Sequence, residues 1–184
     1  MNNEITNAVD VLKSGGIILY PTDTIWGIGC DACCDIAVKK VYEIKRRDYS
    51  KPLICLASSF EMVGEYVEIS NLKKLNSISK KSPTTFIFNN PVKISQYVSS
   101  NNNSIGFRVP NDNFCLELLN KFGRPIVSTS ANISGIDIPL EFNLISSEIK
   151  SKVDYIVNYG KNKESYTAST ILKIDEKGLI TKLR

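Results

Sequence analysis

Histidine is missing from this chain of 184 residues, and no other feature of the composition removes so much chemistry. Its absence excludes Ser-His-Asp and Cys-His catalysis, imidazole-ligated metals and an imidazole general base. Any reaction must rest on carboxylates, lysine, arginine, hydroxyls, backbone groups or the acid and base groups of the substrates. Long apolar runs are also lacking: none approaches the roughly 20 residues that cross a bilayer, so no membrane span is expected. The opening MNNEITNAVDVLK lacks the basic-then-apolar order of a secretory signal. It reads instead as an amphipathic helix with Ile5, Ala8, Val9 and Leu12 on one side, and a cytoplasmic location follows. Cysteine offers no disulfide framework, because Cys30, Cys33, Cys34, Cys55 and Cys115 are odd in number and, beyond the first three, scattered. Reduced thiols are expected. The cluster at 30 to 34 resembles half of a zinc site, but no second pair of ligands accompanies it, so no protein-held metal is expected.

The length suits one domain over residues 1–184, able to bury about 70% of its unfolded surface. No repeat, linker or low-complexity tract divides it. Strands are expected at Ile17 to Tyr20, Ile25 to Cys30, Pro52 to Ala57, Thr85 to Phe88, Ile105 to Val109 and Pro125 to Thr129. Three more are expected at Tyr155 to Val157, Ser169 to Ile174 and Leu179 to Leu183. Helical spacing marks Asp35 to Arg46, with Asp35 placed to cap it, and further helices at Phe60 to Val67, Asn71 to Ile78, Phe114 to Phe122 and Phe142 to Lys150. Alternation of the two element types predicts an α/β or α+β class with a mixed sheet.

Net charge is only +4, yet Lys39, Lys40, Lys45, Arg46, Arg47 and Lys51 fall within thirteen positions. This is either a solvated helix face or the mark of a local anionic partner. Four polar clusters each adjoin an expected strand, where open sheets bind ligands. In Pro21-Thr22-Asp23-Thr24-Ile25-Trp26-Gly27-Ile28-Gly29 the glycines allow close backbone approach and the hydroxyls suit a carboxylate or phosphate oxygen. In Lys45-Arg46-Arg47-Asp48-Tyr49-Ser50-Lys51-Pro52, Lys45 and Arg47 would point together if the segment is extended, giving a point charge and a planar fork for a polyphosphate. In Ser104-Ile105-Gly106-Phe107-Arg108-Val109-Pro110, Arg108 interrupts an apolar strand and so either faces solvent or meets an anion. The fourth, Ser128-Thr129-Ser130-Ala131-Asn132-Ile133-Ser134-Gly135, runs from a strand into a hydroxyl-rich turn. Neither a GxxxxGK[ST] loop nor a GxGxxG turn is present, so phosphates would be held in another way.

In this order and spacing the clusters resemble the YrdC-type threonylcarbamoyl-AMP synthases. PTDTIWGIG is similar to the family's PTDT-x-Tyr-Gly-Leu-Gly opening, KRRDYSKPL to its Lys-x-Arg segment, SIGFRVP to its Gly-x-Arg-x-Pro strand and STSANISG to its Ser-x-Ser-Ala-Asn turn. Pro83-Thr84-Thr85 and Ala168-Ser169-Thr170-Ile171 extend the resemblance over nearly the whole chain. It implies a twisted, mixed open sheet with flanking helices and a basic concave cavity. It also implies the reaction of L-threonine, bicarbonate and ATP to threonylcarbamoyl-AMP and pyrophosphate. By the same resemblance a downstream threonylcarbamoyl transferase complex then modifies adenosine in tRNAs that read ANN codons, and tRNA itself is a candidate partner.

By the same resemblance Thr24, Arg108, Ser128 and Ser169 bind threonine. Arg47, Lys51, Ser104, Ser130, Asn132 and Arg184 bind ATP, and Lys45 and Arg47 supply catalytic charge. Mg²⁺ accompanies ATP, held by phosphates and water rather than by a protein cage. Trp26 stands where the family has tyrosine, keeping an aromatic group in the wall, and Leu56 stands where the longer two-domain relatives have histidine. The competing reading is an RNA-binding module, in which Lys45, Arg47 and Lys51 are interchangeable charges on a basic surface and no product forms. A carbamoyl-transfer domain like that of hydrogenase-maturation proteins is a third, without their accessory regions.

Overall fold

A computed structural model describes residues 1–99, 103–162, 169–174 and 179–183. In chain order the described elements are α1 (Asn2–Lys13), β1 (Ile18–Tyr20), β2 (Gly27–Asp31), α2 (Asp35–Lys45), β3 (Ile54–Leu56), α3 (Phe60–Val63) and α4 (Leu72–Ser79). They continue with β4 (Thr84–Asn89), β5 (Ser104–Arg108), α5 (Asn113–Phe122), β6 (Ile126–Ser130), a 3-10 turn at Phe142–Leu144, α6 (Ser147–Lys152), β7 (Tyr155–Ile156), β8 (Thr170–Ile174) and β9 (Ile180–Lys182). The strands form one sheet in the order β7-β1-β2-β6-β3-β5-β4-β8-β9. Pairs β1/β7, β3/β5 and β4/β8 run parallel and the other neighbours antiparallel. The sheet is therefore mixed, as the alternating pattern predicts.

Successive strand residues face opposite sides of a sheet, and here the two sides bury different partners. Leu19, Ile28, Cys30, Val127, Cys55, Phe107 and Phe86 join the larger core with Ala37, Val38, Val41 and Tyr42 of α2. Ile18, Tyr20, Ile126 and Leu56 point the other way, under Ile5, Ala8, Val9 and Leu12 of α1 and Phe114, Leu118 and Leu119 of α5. The second cover is short. It roofs only part of its face, and the rest stays open.

Gly29 shows how tightly the roofed part is packed. A Cβ there would lie 2.7 Å from the Tyr20 ring and 2.8 Å from the Val127 carbonyl oxygen. Gly29→Ala is expected to destabilise the protein by about 1–3 kcal/mol, the range for overpacking a dense core. Urea unfolding checks this, and a change under 0.5 kcal/mol would show that the ring moves aside freely.

Local chemistry corrects three expectations. Asp35 does not cap α2: Cys34 is the cap residue and makes no side-chain bond, while Asp35 occupies the first helical position, where its charge still favours the helix dipole. The expected helix Phe142 to Lys150 is broken, because Ile145 turns extended into the core and Ser146 starts α6 by accepting from the Ile149 N–H. The helix expected over Phe60 to Val67 stops at Val63.

Candidate active site

The open part of the α1/α5 face is a cavity of about 370 Å³ floored by β2, β6, β3, β5, β4 and β8. Register places its floor residues side by side: Ile54 pairs with Ser128 on one flank and Gly106 on the other, and Gly106 also pairs with Ile87. A Cβ on Gly106 would meet the methyls of Ile54 and Thr85, each at 3.1 Å. Glycine here lowers the floor and keeps the cavity open. At the roofed edge Leu56 stands beside Arg108 in the ladder, buried under the helices rather than exposed to the cavity.

The first polar cluster folds into a tight turn before β2. The Thr22 hydroxyl donates to the Ile25 carbonyl (2.7 Å) and accepts from the Thr24 N–H (3.1 Å) and the Ile25 N–H (3.2 Å). This pins the turn and aims Thr24 at Arg108, whose Nη1 donates to Thr24 Oγ1 at 3.0 Å. Arg108 Nη2 lies 3.2 Å from Asp23 Oδ1, with the two side chains 3% and 5% exposed. The contact is ionic rather than directed, since among the described residues Asp23 Oδ1 has no hydrogen-bond partner, nor has the buried Arg108 Nε. Of the two alternatives for Arg108, the anionic partner is the one found. Arg108 also lines the cavity, so a buried, fixed cation stands at its wall, a disposition suited to a small carboxylate. Tyr20 lies beside Ser128, and burial raises the pKa of its phenol, keeping it neutral.

The basic cluster is arranged differently from the expected extended segment. Helix α2 runs through Lys45, and Arg46 then takes the left-handed conformation, φ 49°. That reversal separates its neighbours. Lys45, 1% exposed, sends Nζ back to the carbonyl oxygens of Ser130 and Asn132, the latter at 2.7 Å, and to Asn132 Oδ1 at 3.2 Å. Its own carbonyl accepts from the Ser134 N–H at 2.8 Å. Lys45 thus clamps the 130–134 turn and is not on the cavity wall. Arg47 is on that wall, with Nε donating to the Lys51 carbonyl (3.1 Å) and Nη2 to that of Pro52 (3.0 Å). The Lys51 side chain is exposed and off the wall.

Burial, then the charge of Arg47, lowers the Lys45 pKa from 10.5 to about 7. A neutral amine has only two N–H bonds for three oxygens, so deprotonation loosens the clamp. The unfolded chain keeps this proton up to about pH 10.5, whereas the folded chain has released it above about 7. Between those values the unfolded state binds more protons, so this group makes stability rise with pH, and below pH 7 it adds no slope. Lys45→Met should flatten that rise in urea melts taken at several pH values. An identical slope in the variant would assign the titration elsewhere.

Ser128 and Ser130 on β6 both reach the cavity, and Ser130 Oγ donates to Asn132 Oδ1 at 2.5 Å. Asn132 sits behind Ser130, its Nδ2 donating to the Ile136 carbonyl at 2.5 Å. Ser104 opens β5 at the cavity, and Ser169, just before β8, shares a 2.9 Å hydroxyl contact with Thr85. The fold therefore brings together Thr24, Arg47, Ser104, Arg108, Ser128, Ser130 and Ser169. It leaves Lys45, Lys51 and Asn132 off the wall, and Arg184 lies outside the described residues. Trp26 is not an aromatic wall of the cavity: it belongs to the larger core on the other side, tilted against Phe142 at 4.8 Å. The sequence reading overlooked Asp23, Thr22 and Thr85. A lone carboxylate between two threonines, set against an arginine in an apolar strand, was the available signal for the first.

Hydroxyls from three strands and two adjoining turns, with two arginines from separate segments, surround one hollow on an open-faced α/β sheet, an arrangement suited to a small anionic ligand. The chain belongs to the Sua5/YciO/YrdC family, whose model, described as "Telomere recombination", matches residues 10–184. It is similar to a threonylcarbamoyl-AMP synthase of Psychromonas ingrahamii, 33% identical over 153 residues that cover 81% of this chain and 80% of that protein. Among solved structures it is similar to P. abyssi Sua5 complexed with L-threonine, with a TM-score of 0.86 and 25% identity over 98% of this chain. The match takes in 53% of the Sua5 chain, so the present chain spans about half the length of that protein. E. coli YciO shares the fold along the full chain and over 89% of its own length, with a TM-score of 0.84 and 22% identity.

Proposed function

We propose that this protein is an L-threonylcarbamoyladenylate synthase, forming threonylcarbamoyl-AMP and pyrophosphate from L-threonine, bicarbonate and ATP for tRNA modification. The observation that carries the reading is the placing of two arginines on one cavity, Arg108 buried beside Thr24 and Arg47 on the wall of the same hollow. Threonine's carboxylate is assigned to Arg108 and its neighbouring hydroxyls Thr24, Ser128 and Ser169. The triphosphate is assigned to Arg47, with Ser104 and Ser130 on the same wall, and to Lys51 and Arg184 by the family resemblance.

The chemistry needs little from side chains as acid or base. The threonine amine attacks the carbon of bicarbonate, water leaves, and a carbamate forms. A carbamate oxygen then attacks the α-phosphorus, and the bond to the β-phosphate bridging oxygen breaks as pyrophosphate departs. Catalysis lies in holding the reactants together and offering fixed positive charge to the phosphoryl transition state. The described wall is built of hydroxyls, glycines, apolar groups and two arginines, so Mg²⁺ is taken to arrive with ATP, ligated by phosphate oxygens and water. Lys45 acts by clamping the turn behind Ser130 and Asn132. Its burial also weighs against an RNA-binding surface of interchangeable cations. A cytoplasmic site of action fits the tRNA substrate pathway.

Pyrophosphate release with ATP, omitting threonine or bicarbonate in turn, tests the proposal. Release is expected only with all three present. Release that continues without either one would refute it.

A further inference from the structure

Two hydroxyls at the β4/β8 side of the cavity have a relation that the assignments above do not use. Thr85 Oγ1 and Ser169 Oγ meet at 2.9 Å, with the residues 1% and 7% exposed. Both line the cavity. They come from different strands: Thr85 lies in β4, Ser169 precedes β8, and the parallel register of Thr84 with Thr170 and Thr85 with Ile171 brings them together. Ser169 stands just before β8, and the partners of a serine hydroxyl decide which way its hydrogen and lone pairs point. Thr85 is better fixed. It sits inside a six-residue strand, and its methyl is wedged where a Cβ on Gly106 would touch it. A β-branched side chain packed in this way is restricted at χ1.

We infer that Thr85 is a positioning residue for amino-acid binding: its rigid hydroxyl orients Ser169 Oγ toward the substrate. This rests on the assignment of Ser169 to threonine given above. A hydroxyl donates once and accepts up to twice, so the bond to Thr85 uses one of the three capacities of Ser169 Oγ. A substrate group that meets a preset hydroxyl avoids the cost of ordering it at the moment of binding.

Thr85→Val keeps the shape and the methyl but removes the hydroxyl, whereas Thr85→Ser keeps the hydroxyl. Both are compared with the wild type by threonine-dependent pyrophosphate release, with thermal unfolding alongside. Thr85→Val is expected to raise the KM for threonine about tenfold, the scale of one lost hydrogen bond, with the KM for ATP unchanged. Thr85→Ser is expected to recover part of the threonine KM, because the hydroxyl remains while the methyl that fixes it is gone. Unchanged threonine KM in Thr85→Val overturns the inference, as does an equal loss in Val and Ser that tracks a lowered melting temperature, which would mark a packing role. Wild-type release that ignores threonine would overturn the functional proposal itself, and this inference with it.

Discussion

Arg47→Ala should lower turnover by about a hundredfold or more, the scale of one lost transition-state charge contact. Two carbonyls, of Lys51 and Pro52, hold the guanidinium at the cavity wall, so its orientation is set before any nucleotide arrives. A cation held in this way needs no rearrangement as charge moves onto the departing pyrophosphate. The loss should therefore appear in kcat as well as in kcat/KM for ATP, because an interaction strengthened in the transition state lowers both. Arg47→Lys tests the geometry separately from the charge. An ammonium on a flexible stem lacks the planar fork that donates to two carbonyls while facing a phosphate, so it should recover only part of the activity. Wild-type rates in Arg47→Ala would remove this residue from the mechanism. A loss confined to the KM for ATP would make it a ground-state contact only.

Fold class was legible because strand and helix periods alternate clearly: Ile18 to Tyr20 and the amphipathic α1 fall where pattern alone puts them. The breaks were less legible. Ile145 continues a helical pattern in sequence, but burial in the core and the Ser146 cap end one turn and begin another helix. Tertiary packing decided that point, and no local propensity records it. The site was legible as residue types next to strands, and seven of the expected positions do share one cavity. What the chain could not reveal was direction. Lys45 and Arg47 are two apart, and an extended segment would aim them together, but the left-handed Arg46 sends one into a backbone clamp and the other to the wall. Non-glycine residues adopt that conformation only occasionally, so pattern reading gives it little weight. Asp23 was harder to read for another reason: its partner Arg108 lies far along the chain, so the lone carboxylate and the strand arginine are each visible but their pairing is not.

Breaking that pairing should cost the most stability of any single change here. Asp23→Ala leaves the Arg108 guanidinium 3% exposed with no counter-ion, and stranding one member of a buried ion pair costs about 3–5 kcal/mol. Thr24 would still accept from Nη1, but a neutral hydroxyl does not balance the charge. Urea unfolding measures the loss directly, and the double variant Asp23→Ala with Arg108→Met interprets it. With both charges gone and the arginine volume largely refilled, desolvation no longer opposes folding, so the double variant should be more stable than Asp23→Ala alone. It should nonetheless fail to use threonine, since the cation assigned to the carboxylate is absent. L-threonine should also raise the unfolding midpoint of Asp23→Ala, because a bound carboxylate supplies the missing anion and a ligand specific to the folded state stabilises it by mass action. If Asp23→Ala unfolds at the wild-type urea concentration, Arg108 must find solvent or another anion once Asp23 is gone. The buried pair would then not be what fixes the guanidinium at the cavity.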